Sequence, residues 1–351
     1  MKTDYVGWQI GINYQAPDPA GVTYDYLKDV IDRSADAGMN FISFMMVSYA
    51  FHCPEHDGYA WPVQNARLTP LKDVTCRNAA PQTEFVSRAL EYAKSKGFHC
   101  QLMMNALLWN PEKVAAVCPG ATQQRFSDGR ARPWLFCPDC PGSWQLALDE
   151  VADLLAFYRD SPVDSFQFER IGYDHGTCTC RHTAEHFKAD MDVDLEASSR
   201  DFLTWKGRAT LDHLKRYIAH IRGIRPGIET WIHTGGEPEW GHFPHVLAAS
   251  GAQTLANGAH EAVTRKAYWR QLDWLAPSTC VPHLCVRDRR THNYPVPIKT
   301  PEMIRDFANW LESYPGDRVR GIIFFNEVCT SMANKASVYD VVKGLAGRCR
   351  S

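Results

Sequence analysis

The sequence predicts a single (β/α)8 TIM barrel with long loops after strands two, three and four. Three observations predict it. A short apolar run followed by a helical pattern recurs through the 351 residues until eight units are filled. Joins from helix back to strand are short: Gly38-Met39, Gly97, Ser161-Pro162 and Pro226-Gly227. Joins from strand to helix are long, from Ser48 to Pro81, Ala106 to Gly142 and Asp174 to Ser198. The insertions then share the carboxyl ends of the strands, where barrel enzymes keep their sites. An open doubly wound sheet shares part of this pattern, but eight units without a Gly-rich first turn fit it less well.

The units follow in order. Strand one is read as Trp8 to Tyr14, and its helix is capped by Thr23 and stopped by Gly38, a residue free to take positive φ. Strand two is Phe41 to Val47; its helix carries Phe85, Val86, Ala89, Leu90 and Ala93 on one face and ends at Gly97. Strand three is Phe98 to Asn105, with a helix from Ser143. Strand four is Val163 to Glu169, followed by a long helix through Leu211, Leu214, Ile218 and Ile221. Strands five to eight are Ile228 to His233, Ala252 to Asn257, Cys280 to Cys285 and Gly321 to Phe325. Helix six carries Val263, Ala267 and Leu272, Thr300-Pro301 opens helix seven, and a short helix from Ser337 closes the chain.

No linker or low-complexity segment divides the sequence, so one catalytic domain over 1–351 is expected. With 38 basic and 40 acidic residues interspersed and a formal charge of −2, neither nucleic acid nor an anionic membrane is expected as a partner. No stretch approaches the ~20 apolar residues that span a bilayer. The start, Met1 to Tyr5, lacks the apolar segment of a signal peptide, so the twelve cysteines read as buried or metal-bound thiols in a reducing cytoplasm. Self-association is left open. Phosphate-loop, dinucleotide, serine-elbow and His-Glu-x-x-His motifs are absent.

Strand ends supply the candidate site. Strand one offers Asn13, Tyr14 and Gln15; strand three Asn105, with Trp109 nearby; strand four Glu169 and Arg170, then Tyr173, Asp174 and His175. Strand five gives Trp231 and His233, with Glu237, Glu239 and Trp240 on its loop. Strand six gives Asn257, His260 and Glu261, strand seven His283, and strand eight Asn326 and Glu327. Carboxylates, amides and indoles round one bowl suit a sugar, whose hydroxyls need polar partners and whose C–H faces stack on rings. The plainer readings stand beside this one. Carboxylates at strand ends often pair with arginines such as Arg170 or Arg287, and Glu261 suits a first helical turn. Trp144, Trp205, Trp269, Trp274 and Trp310 sit in helical patterns and read as packing.

After strand four the chain runs Phe168-Glu169-Arg170-Ile171-Gly172-Tyr173-Asp174-His175-Gly176-Thr177-Cys178-Thr179-Cys180-Arg181-His182-Thr183, with Phe187 and Trp205 further on. Over roughly residues 130–225 this resembles the family 42 β-galactosidases and related barrel glycoside hydrolases. The resemblance implies that Glu169 is the general acid/base, and that Cys178 and Cys180 are two ligands of a zinc. It also implies a ligand from the preceding loop, taken as Cys137, with Cys118 and Cys140 as the other choices. Thr183 stands where that family has its third clustered cysteine, so either His182 substitutes or the zinc is lost. Phe168 replaces the family's asparagine, and strand seven, Val281-Pro282-His283-Leu284, lacks the nucleophile glutamate. The order Cys137-Pro138, helix, Val163-Asp164-Ser165 is also similar to barrel hydrolases whose strand-four carboxylate is the nucleophile. Read without the family, the cysteine loop is a soft-ligand cluster suited to a structural zinc.

The expectation is therefore a glycosidase that splits a glycoside or oligosaccharide with paired carboxylates, needing no cofactor for catalysis. Glu169 is one carboxylate. Its partner is expected to be Glu327, with Glu237 as the alternative. Two other readings are a carbohydrate-binding barrel without turnover, and a metal-dependent sugar isomerase or lyase using His233, His260, His283 and a carboxylate.

Overall fold

A computed structural model describes residues 4–12, 22–47, 59–71, 84–173, 178–196, 200–234, 241–258, 264–287, 298–315 and 317–348. Eight parallel strands close into a barrel: β1 (Tyr5–Gly11), β2 (Phe41–Met45), β3 (His99–Asn105), β6 (Ser165–Glu169), β7 (Glu229–Thr234), β8 (Thr254–Asn257), β9 (Cys280–Cys285) and β10 (Gly321–Phe325). The remaining pair, β4 (Gln123–Arg125) and β5 (Ala131–Phe136), is an antiparallel hairpin in the connection after β3. The helices are α1 (Tyr24–Ala37), α2 (Phe85–Ser95), α3 (Pro111–Val117), α4 (Pro141–Phe157), α5 (Arg181–Met191), α6 (Arg200–Ile224), α7 (Pro244–Ala249), α8 (Arg265–Trp274), α9 (Pro301–Glu312) and α10 (Met332–Arg348). Among the described residues no helix is long and apolar enough to cross a membrane.

Local chemistry explains the boundaries. The Thr23 and Thr300 side chains accept backbone hydrogen bonds at the starts of α1 and α9, and Gly38 ends α1 with φ of 89°. The first strand begins at Tyr5, three residues earlier than the apolar run from Trp8 suggests. Alternation decides it: Tyr5 faces the barrel floor, whereas Trp8 packs outward against Phe324 and Tyr339. The connections after β3 and β6 also carry structure that the sequence reading left as loop: α3 and the hairpin in one, α5 in the other.

The barrel floor holds Tyr5, Phe41, Trp231, Ala256, Val281 and Ile323, with the Phe41 and Trp231 rings stacked at 5.4 Å. Polar groups fill the axis above. The Ser43 hydroxyl donates to Gln101 (2.9 Å), and the Gln101 amide donates to Ser165 (3.1 Å). β1 sits close to both neighbours because glycine permits it. A Cβ on Gly7 would fall 1.7 Å from the Phe41 carbonyl oxygen, and one on Gly321 would fall 1.8 Å from that of Tyr5. Gly7→Ala is therefore expected to destabilise the fold by about 1–3 kcal/mol, because the obstacle is backbone. A lower urea midpoint at constant slope would report it, and an unchanged midpoint would contradict the close approach.

Candidate active site

Glu169 ends β6, directly opposite Asn105 at the end of β3 in the strand register. Its carboxyl is held on both oxygens: His233 Nδ1 lies 2.5 Å from Oε2, and Arg170 Nε donates to Oε1 at 3.3 Å. Arg170 takes a left-handed backbone (φ 73°), an uncommon conformation for a side chain of its size, and this sets it beside the preceding carboxyl. The Glu169 side chain remains 13 % exposed, so it faces the mouth without leaving the barrel wall. His233 comes from β7, and the ring of His283 from β9 approaches it with centroids 5.1 Å apart.

Behind these residues His242 binds the turn together. Its ring nitrogens lie 2.8 Å from the Ile171 carbonyl oxygen and 3.2 Å from the Thr234 hydroxyl. Burial lowers the His242 imidazole to about 4, so it stays neutral in this role. Below Glu169, both amide atoms of Gln167 are buried without a protein partner, as are Gln9 Nε2 and Asn105 Oδ1. The sequence reading did not single out Gln167 or Gln9. The period-two rule would have found Gln167, two residues before Glu169 on the same face.

Several expected mouth residues are elsewhere. Trp231 is stacked in the floor, and its indole donates to Glu229 at 3.3 Å. Tyr173 is fully buried and donates to Asp139. Trp109 is buried and donates to Glu150 at 3.1 Å. The Asn326 amide oxygen accepts from Gly11 N at 2.9 Å, which ties the end of β10 to β1. Glu327 is the largest correction. Past β10 the chain coils into a tight turn, Glu327–Cys329, which buries the carboxylate between α1 and α10. There it pairs with Lys335 Nζ at 2.5 Å and accepts from Tyr26 Oη at 2.5 Å. A carboxylate so enclosed has no access to a sugar. Asn13, Asp174, His175 and Glu237, with Tyr14, Gln15, Glu239, Trp240, His260 and Glu261, lie outside the described residues.

The cysteine loop forms a second small core with Tyr173, Phe187, Phe202 and Trp205. Cys137, Cys178 and Cys180 come together there, their sulfurs within 4.8 Å of one another and all buried. His182 does not join them; it stands beside Arg181 and Glu185. Thr183 takes the fourth corner, its hydroxyl oxygen 3.2 Å from the Cys137 sulfur and 3.5 Å from that of Cys180. Burial, then the neighbouring thiols, pushes Cys137 well up, while contacts from Cys137 and Cys178 hold Cys180 well below the thiol range. Three thiols this close cannot all ionise without a cation. The donor set therefore fits a zinc, whose ligand sulfurs sit about 2.3 Å from the metal. Asp139 braces the cluster: its buried carboxylate faces His186 Nδ1 at 2.8 Å and His213 Nε2 at 2.9 Å. Burial alone would raise Asp139, yet these partners hold it below the usual carboxylate range. Sequence reasoning missed His186 and His213, which sit in polar helical surroundings without a ligand spacing.

No protein-family model and no curated protein matches the chain. Solved structures do. The PgaB (BpsB) glycoside hydrolase domain of Bordetella bronchiseptica is similar at 13 % identity and a TM-score of 0.68, over 96 % of this chain and 98 % of that one. An α-L-fucosidase of Paenibacillus thiaminolyticus aligns at 13 % identity and 0.64 over 99 % of this chain. A β-galactosidase of Bacillus circulans sp. alkalophilus aligns at 12 % and 0.65, also over 99 %. The chain spans about half the length of the last two, 49 % and 56 %. At these identities the likeness is one of fold, the (β/α)8 barrel, and it does not reach family 42 in particular.

Proposed function

We propose that the chain is a single-domain glycoside hydrolase acting on a glycoside or oligosaccharide, with Glu169 as one of its two carboxylates. The observation that carries this is Glu169 itself: a carboxyl at the end of a barrel strand, mostly enclosed but still open at one side, with both oxygens held by Arg170 and His233. Asn105 opposite it, with Gln167 and Gln9 below, adds buried amides that have polar atoms without a protein partner, a polar wall under the mouth. In the reaction one carboxyl protonates the leaving oxygen while the other, ionised, attacks the anomeric carbon or takes a proton from water. With Glu327 enclosed, the second carboxylate passes to Glu237 on the loop after β7. A panel of nitrophenyl α- and β-glycosides, read by nitrophenol release, tests the assignment; no release from any member, with intact sugar binding, would point to a barrel that binds without turnover.

The isomerase alternative gains nothing from the described residues, where His233 and His283 belong to no group of side chains close enough to share a metal; its third histidine, His260, lies outside them. A zinc would sit in the cysteine core, held by Cys137, Cys178 and Cys180, and would serve to fix the loop after β6. Protein prepared without added metal should contain about one zinc per chain by elemental analysis. Cys178→Ser should lose it together with thermal stability, and metal-free parent protein with a tolerated Cys178→Ser would return the cluster to ordinary packing.

A further inference from the structure

The resemblance of the loop after β6 casts Glu169 as a proton donor, yet the side chains around the carboxyl favour its charged form. We propose that Arg170 and His233, the latter with the His283 ring inclined against it, keep Glu169 ionised, making it the attacking or water-activating carboxylate and leaving proton donation to the other carboxyl. This rests on the glycosidase reading for its catalytic meaning, though the ionisation itself is a property of the protein alone.

The geometry supports it from each side. Oε1 accepts from Arg170 Nε and Oε2 faces His233 Nδ1, so each oxygen has a nitrogen partner. Hydrogen bonds to the charged form and a cation within reach both favour ionisation. His233 is kept in place by its own neighbours. In the register its partner on β8 is Ala256, whose methyl leaves room for His283 of β9 to lie against the imidazole, the planes inclined at 51°. His242 ties Thr234, next to His233, to Ile171, two residues past Glu169, so β6 and β7 hold their relative position at this end.

The charged and titratable groups about the carboxyl, among the described residues, are few. β6 presents Arg170, β7 and its loop present His233 and neutral His242, and β9 presents His283. Arg287, beyond β9, is turned to the Cys285 sulfur at 3.2 Å and lies over the Phe325 ring. β3 and β8 offer Asn105 and Ala256, which do not titrate. Among the described residues the two that touch the carboxyl, Arg170 and His233, each present a nitrogen to it. A general acid needs the opposite surroundings: an apolar pocket that penalises charge.

In a retaining reaction Glu169 is the nucleophile. A Glu169 oxygen forms a bond to the anomeric carbon, the bond from that carbon to the leaving oxygen breaks, and the leaving oxygen takes a proton from the second carboxyl. Glu169 gains no proton at any stage. In an inverting reaction Glu169 would take the proton of the attacking water.

Carbon-detected NMR of protein labelled at glutamate carboxyls reads the ionisation directly, with Glu169→Gln assigning the resonance. The Glu169 carboxyl should titrate below the ordinary glutamate value of about 4.3. His233→Phe should raise its midpoint by at least about half a pH unit, with His233→Asn as the second variant should the first not fold. A parent midpoint above about 4.3, or a smaller rise in a folded His233 variant, overturns the proposal. The glycosidase reading fails separately: Glu169→Gln that still releases nitrophenol would remove Glu169 from the chemistry whatever its titration shows.

Discussion

Glu169→Gln is expected to cut nitrophenyl glycoside turnover by about 10²–10⁴-fold or more, with little change in the melting transition. The side chain keeps its shape, remains partly open to the mouth, and packs against no large part of the core. The loss should be similar for poor and good leaving groups. An ionised carboxylate that attacks carbon or activates water is needed for every substrate. A proton donor is needed least when the leaving group is a stable anion, so its removal would spare dinitrophenyl glycosides. A flat dependence on leaving group therefore supports the ionised role, and a steep one supports the donor role implied by the cysteine-loop resemblance. Activity within a few-fold of the parent on all substrates would remove Glu169 from the mechanism.

The barrel was legible because its signals are local. The continuous apolar run Gly321 to Phe325 marks a strand buried on both faces, and Thr300-Pro301 and Gly38 mark helix ends with chemistry that needs no tertiary context. The strand-end place of Glu169 and the nearness of Cys178 to Cys180 were legible for similar reasons, from a strand boundary and a short spacing.

What failed depended on depth and direction. Trp231 and His233 share one face of β7, and only the register separates the floor residue from the mouth residue. Tyr173 and Trp109 follow strand ends in sequence, but Tyr173 turns into the small cysteine core beside Asp139, and Trp109 into the main core, where Glu150 of α4 accepts from it. The polar lining of Ser43, Gln101, Ser165 and Gln167 was not singled out, because each lies mid-strand, below the strand ends from which the site was read.

Glu327 carries the second large expectation. Its carboxylate is fully enclosed, with Lys335 of α10 and Tyr26 of α1 as partners, and Lys335 also donates to the Tyr26 oxygen at 3.3 Å. Burial, followed by the Glu327 charge, pushes the Tyr26 phenol far above its ordinary range, so it remains a donor. Removing one member of such a set leaves a charge buried without its counter-ion, which costs about 3–5 kcal/mol. Lys335→Met alone should thus lower the unfolding free energy by that amount, and Tyr26→Phe by about 1.5–3 kcal/mol. Glu327→Gln combined with Lys335→Met removes both charges and should recover most of the loss, which a double-mutant cycle in urea would measure. Turnover per folded molecule should stay near the parent value in the double variant, because these groups lie outside the mouth. If instead Glu327→Gln left stability intact and abolished turnover, the carboxylate would have to reach substrate in a conformation other than this one, and it would regain the place now given to Glu237.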